Sequence, residues 1–164
     1  MPTTRPEPGV LAWQRAHCRR FRRTPARGCY SRFRDRPMKL LLDTHVLLWI
    51  ASGQRPLGER TRIRIEEPTA LVFVSAASAW EIAIKRSLGK LDAPDDFEAM
   101  LEAYRFTPLD IRTQHALAIE RLPNHHRDPF DRILIAQALS ENLTIVTHDA
   151  AFDAYDVRTL PAFD

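Results

Sequence analysis

The chain has 164 residues, of which 45% are hydrophobic, and this length and composition suit one folded domain. No stretch approaches the roughly 18 consecutive apolar residues of a membrane-spanning helix. The formal charge of +3 is unevenly distributed, because residues 1–37 carry a net +8 and residues 38–164 a net −5. Both cysteines, Cys18 and Cys29, lie in the first part. The second part therefore has no disulfide, which suits a reducing cytoplasm, and a metal site there would use oxygen or histidine ligands.

Residues 1–37 are predicted to be a disordered, Arg-rich extension with ten arginines and five of the twelve prolines. The basic cluster from Arg19 to Arg23 is typical of an arm that grips RNA. No apolar segment follows it, which argues against a secretory signal. The interpretation we favour is a start-site artefact, because Met38 directly precedes the first predicted strand and can serve as the true start.

Residues 38–164 alternate strands and helices, which predicts a parallel sheet with helices on both faces. In such sheets ligands bind beyond the carboxyl ends of the strands. The predicted strands are residues 40–42, 71–74, 106–109, 144–146 and 157–160. The predicted helices are residues 44–51, 57–67, 76–88, 94–104, 112–122 and 128–142, with a short one before the last strand.

The spacing of apolar residues also predicts which side of each helix is apolar. The first helix is expected to bury Val46, Leu47 and Ile50, and the second to turn Ile63 inward. The third and fifth helices carry apolar residues at helical spacing, namely Ala76, Ala79, Trp80, Ala83, Ile84 and Leu88, and then Ala116, Leu117 and Ile119.

Four acids fall at strand ends or on the helices next to them: Asp43, Glu81, Asp131 and Asp149. Each has a plain structural explanation, because Asp43 and Asp149 suit helix N-caps and Glu81 suits an ion pair with Lys85. Asp128 is a fifth acid, which fits an N-cap before Pro129. Together, however, carboxylates at one sheet edge repel one another. A divalent cation such as Mg²⁺ or Mn²⁺ removes that conflict, and it can activate water for phosphodiester hydrolysis.

Four segments, in this order and at this spacing, resemble the PIN-domain family, specifically the VapC-type ribonuclease toxins of type II toxin–antitoxin systems. The segments are residues 42–49 (LDTHVLLW), 75–82 (SAASAWEI), 127–138 (RDPFDRILIAQA) and 146–149 (VTHD). The resemblance covers residues 38–164. It implies a three-layer α/β/α PIN-like (Rossmann-like) fold with a central parallel sheet of four to five strands.

The resemblance also implies a Mg²⁺- or Mn²⁺-dependent endoribonuclease that cleaves single-stranded RNA. Such toxins are cytoplasmic, are commonly homodimers and are neutralised by a cognate antitoxin. The family's four catalytic and metal-binding acids correspond to Asp43, Glu81, Asp131 and Asp149. Asp128, Thr44 and Thr147 are candidates for residues that do not bind the metal directly but hydrogen-bond its carboxylate ligands or a bound water. Lys85, Arg86, Arg127 and Arg132 are candidate phosphate contacts, although solvated helix faces explain them equally well.

Several alternatives stay open at this stage. A PIN scaffold that binds RNA or a protein without cleavage is the main rival, and the loss of an acid would favour it. His125 and His126 form a loop pair without a spaced third histidine, which is weak evidence for a metal site. Trp49 and Trp80 are candidates for base stacking, but their helical positions favour packing.

Overall fold

The computed structural model of the protein describes residues 37–91, 93 and 96–163. Residues 1–36, and with them nearly all of the Arg-rich extension, lie outside the described residues. The same holds for Pro94, where the fourth helix is predicted to begin.

Five parallel strands form the central sheet, in the order β3-β2-β1-β4-β5. Their bounds are β1 Lys39–Leu42, β2 Leu71–Ser75, β3 Thr107–Leu109, β4 Thr144–Thr147 and β5 Arg158–Pro161. β1 lies in the middle and pairs in parallel with both β2 and β4. Such a strand is covered on both faces, which explains why Leu40, Leu41 and Leu42 form a continuous apolar run.

Helices cover both faces of the sheet and complete a three-layer α/β/α fold, as predicted. Their bounds are α1 Thr44–Ser52, α2 Glu59–Glu66, α3 Ala76–Ser87, α4 Phe97–Tyr104, α5 Thr113–Ala118 and α6 Pro129–Glu141. Two 3₁₀ segments, Ile119–Arg121 and Ala150–Ala154, follow α5 and β4. None of the described helices has the length and apolarity needed to cross a membrane.

The hydrophobic core has two parts, one on each side of the sheet. Leu40 and Leu42 face one part, which includes side chains of α1, α2 and α4. Leu41 faces the other part, where Leu134 and Ile135 of α6 pack. Successive residues of a strand point to opposite faces, so the three leucines anchor both layers. Because β1 is central, its carboxyl end is held firmly from both sides.

The predicted inward face of α2 is wrong. Ile63 is 53% exposed, whereas Thr61 and Ile65 are buried. The Thr61 hydroxyl donates a hydrogen bond of 2.6 Å to the carbonyl of Pro161, at the end of β5. This polar contact and the packing of Ile65 in the core set the rotation of the helix, and Ile63 is left on the solvent side.

The apolar stripe of α3 also faces outward. Trp80 is 59% exposed and Leu88, just beyond the helix, is 60% exposed, while Ser78 and Glu81 are buried. The inner face of α3 is partly polar because the Ser78 hydroxyl accepts a hydrogen bond from Thr44. A stripe of apolar residues therefore did not identify the side of α3 that packs on the sheet.

A similar difference appears in α5. Leu117 is 64% exposed, and the fully buried residue is His115. The Nδ1 atom of His115 accepts a hydrogen bond from the backbone N–H of Arg112, and its Nε2 atom lies 3.2 Å from Glu141 on α6. These contacts satisfy both ring nitrogens, so His115 joins α5 to α6 in place of an apolar residue.

Candidate active site

Asp43 lies at the carboxyl end of the central strand and is 3% exposed. Its backbone N–H donates to the carbonyl of Val146, which extends the pairing of β1 with β4 by one residue. One carboxylate oxygen accepts a 3.2 Å hydrogen bond from the N–H of His45, so Asp43 caps α1. The other accepts a 2.7 Å hydrogen bond from the Thr147 hydroxyl. Asp43 thus has the predicted capping role, and its carboxylate is oriented by β4 as well.

Glu81 lies on the buried side of α3 and is 4% exposed. Its carboxylate forms an ion pair with Lys85, one turn further along the helix. The side chain of Lys85 is partly exposed, whereas that of Glu81 is buried. Lys85, considered above as a phosphate contact, therefore neutralises Glu81 in this structure.

Asp131 lies in the first turn of α6, where its side chain is 19% exposed. The helix begins as predicted, because Asp128 accepts a 2.8 Å hydrogen bond from the N–H of Phe130 and Pro129 occupies the first turn. The capping role is therefore filled by Asp128. Asp131 has no such bond, and its carboxylate faces the other acids.

Asp149 follows β4 and is half exposed. One oxygen accepts a 2.8 Å hydrogen bond from the N–H of Ala151, which caps the 3₁₀ segment. The backbone N–H of Asp149 donates to the hydroxyl of Thr147 at 3.0 Å. Since the same hydroxyl donates to Asp43, Thr147 links the first and the last of the four acids.

The carboxylates interact strongly with one another. Burial raises the pKa of Asp131 to about 7, and the charges of Asp43, Asp128 and Glu81 add to the effect. Burial also raises the pKa of Asp43, with Glu81 contributing, although the hydrogen bonds from Thr147 and His45 oppose the shift. The pKa of Asp149 is instead lowered, first by the hydrogen bond from Ala151. The charges of Asp43, Glu81 and Asp128 thus act on Asp131, whereas the pKa of Asp149 depends on its own hydrogen bonds and on nearby histidines.

This arrangement fits a divalent cation. The donor atoms are carboxylate oxygens, which are the ligands that Mg²⁺ and Mn²⁺ accept. Burial, with the neighbouring carboxylates adding to it, raises the pKa of Asp131 and of Asp43, and a bound cation would stabilise the ionised carboxylates against both effects. Among the described residues, ligand atoms of His126, Asp131 and Asp149 lie within 4.8 Å of one another. Of the four predicted acids, Asp131 and Asp149 belong to this group, whereas Asp43 and Glu81 fall outside it and act on Asp131 through their charges. Asp131 and Asp149, with Asp43 beside them, are the residues that would hold the ion.

His126 is the residue of this site that sequence reasoning undervalued. Its Nε2 atom lies 3.1 Å from Asp149, and its Nδ1 atom lies 3.4 Å from Asp131. His125, its neighbour, instead contacts the ring of Tyr155. Position next to the Asp-Pro-Phe-Asp segment was the available signal, but the sequence does not show that the loop folds back over Asp149.

The remaining candidates have varied surroundings. The Thr44 hydroxyl donates to Ser78 at 3.0 Å, so it links α1 to α3 beside the acids. The guanidinium group of Arg132 donates to backbone carbonyls of the preceding loop, including a 2.8 Å hydrogen bond to Pro123. This use of Arg132 stabilises the loop that carries His126. Arg127 is exposed on the same loop, and Arg86 lies near the end of α3.

An aromatic cluster adjoins the acids and consists of His45, Trp49, His148 and Phe163. Trp49 is partly buried, and its ring centroid lies 5.9 Å from that of His148 and 5.1 Å from that of Phe163. The Arg55 guanidinium lies over Phe163, 3.6 Å from the ring centroid. We call the sheet edge that carries Asp43, Glu81, Asp131 and Asp149 the acid edge. His45 and His148 lie within two residues of Asp43 and Asp149, so the cluster borders this edge.

Residues 40–158 match the PIN domain family, and the chain belongs to that family. None of the curated proteins matches the chain in sequence. The fold is shared with three solved complexes. VapBC2 from Rickettsia felis, bound to a promoter DNA fragment, has a TM-score of 0.58 at 15% identity and covers 75% of this chain and 98% of its own. DNA-bound VapBC from Salmonella typhimurium has a TM-score of 0.58 at 22% identity, and the match covers 75% of this chain and 97% of that one. VapBC-1 from nontypeable Haemophilus influenzae has a TM-score of 0.55 at 20% identity, and the match covers 75% of this chain and 97% of that one.

Proposed function

We propose that the protein is a VapC-type toxin, a Mg²⁺- or Mn²⁺-dependent endoribonuclease that cleaves single-stranded RNA. The proposal is supported by two observations at Asp131: the charges of Asp43 and Glu81 act on its carboxyl group, whose pKa is raised to about 7, and its ligand atom lies within 4.8 Å of that of Asp149. Keeping buried carboxylates close together is electrostatically unfavourable, and in a PIN domain such an arrangement is best explained by a metal-assisted reaction.

In the proposed reaction Asp43 and Asp131 hold the metal, helped by Asp149. When bound, the metal lowers the pKa of a water and offsets the charge that develops on the phosphate. Thr147 keeps the Asp43 carboxylate turned toward the site. Glu81 would either hold the metal or accept the proton of the attacking water, and its ion pair with Lys85 orients the carboxylate. The reaction is direct hydrolysis, so no side chain forms a covalent bond with RNA.

The aromatic cluster supports a single-stranded substrate. Unpaired bases stack on aromatic and histidine rings, whereas bases inside a duplex are covered by their neighbours. His45 and His148 are exposed on either side of Trp49, next to the acids. A base that stacks there would bring its phosphate close to Asp43 and Asp149. Exposed arginines such as Arg127 would contribute backbone contacts.

The proposal extends to partners and location. The structural relatives are toxin–antitoxin complexes, which supports a cognate antitoxin that blocks the acid edge with a basic group. The exposed apolar residues Trp80, Ile84 and Leu88 suit contact with a second copy in a homodimer. RNA as the target implies that the protein acts in the cytoplasm.

Induced expression in a bacterial host tests this function. The wild-type chain should stop growth and produce new RNA ends at defined positions, and the Asp43→Ala variant should do neither. Asp96→Ala is the matched control, because Asp96 also caps a helix, α4, by accepting from the N–H of Ala99. Growth arrest by Asp43→Ala equal to wild type would contradict the proposal. RNA binding without any cleavage by the wild type would favour the non-catalytic alternative.

A further inference from the structure

His126 lies between two of the proposed metal-binding acids. Its Nδ1 atom is 3.4 Å from an oxygen of Asp131, and its Nε2 atom is 3.1 Å from an oxygen of Asp149. Two ligands at right angles on an octahedral ion, each about 2.1 Å from it, lie about 3 Å apart. The separation of Nδ1 from the Asp131 oxygen is therefore close to that of adjacent ligands on one ion.

The hydrogen bonds of the ring identify which nitrogen is available. Nδ1 accepts a long bond, 3.3 Å, from the backbone N–H of Asp128, and this bond fits the tautomer in which Nε2 carries the ring proton and donates it to Asp149. Histidines that ligate metals generally bind through one nitrogen and donate the other N–H to a carboxylate or carbonyl. The ring of His126 already has this arrangement. A metal at Nδ1 would have to replace only the weak contact with Asp128.

The protein holds His126 in place from several sides. Its backbone N–H donates a 2.7 Å hydrogen bond to the hydroxyl of Tyr155. Its ring packs against Phe152, with 5.7 Å between centroids, and its side chain is 13% exposed. A ligand fixed in this way loses little conformational freedom when an ion binds. Among the residues that the structure describes, exposed His125 contacts Tyr155 and has no comparable contact with an acid.

We propose that His126 is a nitrogen ligand of the metal, bound through Nδ1 beside Asp131, and that it makes the site prefer Mn²⁺ to Mg²⁺. The inference rests on the proposed function, because it specifies the ion that the acid edge holds. Mg²⁺ keeps to oxygen ligands and octahedral water, whereas Mn²⁺, the first ion of the transition-metal affinity series, accepts an imidazole nitrogen beside its oxygen ligands more readily than Mg²⁺ does. Carboxylates alone would not favour Mn²⁺ to the same degree.

Pulsed electron paramagnetic resonance of the Mn²⁺-loaded full chain tests the ligand directly. The expected spectrum shows ¹⁴N coupling to Mn²⁺ in the unmutated protein and in the His125→Gln control. The coupling should disappear in His126→Gln. Bound Mn²⁺ without ¹⁴N coupling in the unmutated protein would overturn the inference, and that result needs no variant to fold.

Titration calorimetry of the same proteins tests the selectivity. His126→Gln should lower the affinity for Mn²⁺ about 10- to 100-fold, the range seen when a metal site loses a supporting group, and should change the affinity for Mg²⁺ much less. Equal losses for both ions would overturn the preference.

RNA cleavage measured in parallel separates the two proposals. Mn²⁺ bound without nitrogen coupling, with RNA still cleaved, refutes the histidine ligand and leaves the nuclease standing. Nitrogen coupling without cleavage supports the ligand and refutes the nuclease. Failure of the chain to bind either ion refutes both.

Discussion

Replacement of Asp131 by Asn should stabilise the metal-free protein at alkaline pH. The pKa of Asp131 is raised from 3.8 to about 7 in the folded protein, first by burial and next by the charge of Asp43. Each pKa unit corresponds to about 1.4 kcal/mol, so the ionised carboxylate costs up to about 4 kcal/mol above pH 7. The cost is absent below the unfolded pKa of 3.8, grows as the pH rises from there to the folded pKa of about 7, and is fully present above it.

Asn keeps the shape of the side chain but removes the charge, and it gives up the 3.4 Å contact between the carboxylate and Nδ1 of His126. The expected gain in the free energy of unfolding is therefore about 2–4 kcal/mol at pH 8, and about 1 kcal/mol at pH 4.5. Urea unfolding in EDTA, followed by circular dichroism, measures both. The exposed acid Asp156 supplies a charge-matched control, because Asp156→Asn should change stability by no more than about 0.5 kcal/mol.

Addition of Mg²⁺ or Mn²⁺ should make the wild type more stable than Asp131→Asn, because only the wild type keeps the full set of metal ligands. A loss of stability in Asp131→Asn at pH 8 without metal would refute the electrostatic account. An equal gain at pH 4.5 and pH 8 would also refute it, since a gain that ignores pH cannot come from the carboxylate charge.

Three further changes test other parts of the account. Thr147→Val removes the hydroxyl that links Asp43 to Asp149, and it should slow RNA cleavage about 10- to 100-fold, measured at saturating Mg²⁺. Trp49→Leu removes a proposed stacking surface and should weaken binding of a single-stranded RNA by about 1–3 kcal/mol in a fluorescence anisotropy titration, whereas Trp80→Leu should not. Deletion of residues 1–37 should leave both the melting temperature and the cleavage rate unchanged, and loss of cleavage would refute the start-site interpretation.

The sheet was predictable because its strands are short apolar runs. Buried parallel strands need apolar residues on both faces, so residues 40–42, 71–74 and 144–146 were recognised from their composition. The start of α6 was predictable for a local reason as well. Asp followed by Pro is a helix-start signal that depends only on adjacent residues, and Asp128 caps the helix as expected.

The rotations of α2 and α3 were not predictable from apolar spacing. Spacing shows that one side of a helix is apolar, but it does not show which surface the helix packs against. In α3 the polar residues Ser78 and Glu81 face inward, because Thr44 and the acid edge lie there. In α2 the hydrogen bond from the Thr61 hydroxyl to the carbonyl of Pro161 fixes the rotation of the helix, and these two residues are 100 positions apart in the sequence.

The position of His126 was hidden for the same reason. It meets Asp149 across 23 residues of sequence, through a loop whose path is set by Arg132 and Tyr155. Spacing rules for metal ligands describe neighbours on one element, and this contact joins two loops. The four acids, by contrast, follow from the topology, because parallel strands bring their carboxyl ends to one edge.

Cleavage of a labelled single-stranded RNA by the purified full chain tests the central claim most directly. Cleavage should require Mg²⁺ or Mn²⁺, stop in EDTA and resume when the metal is restored. The Asp43→Asn variant, which keeps one acceptor oxygen for the cap of α1, should not cleave the RNA. Cleavage that persists in EDTA, or that proceeds at the wild-type rate in Asp43→Asn, would contradict the central claim.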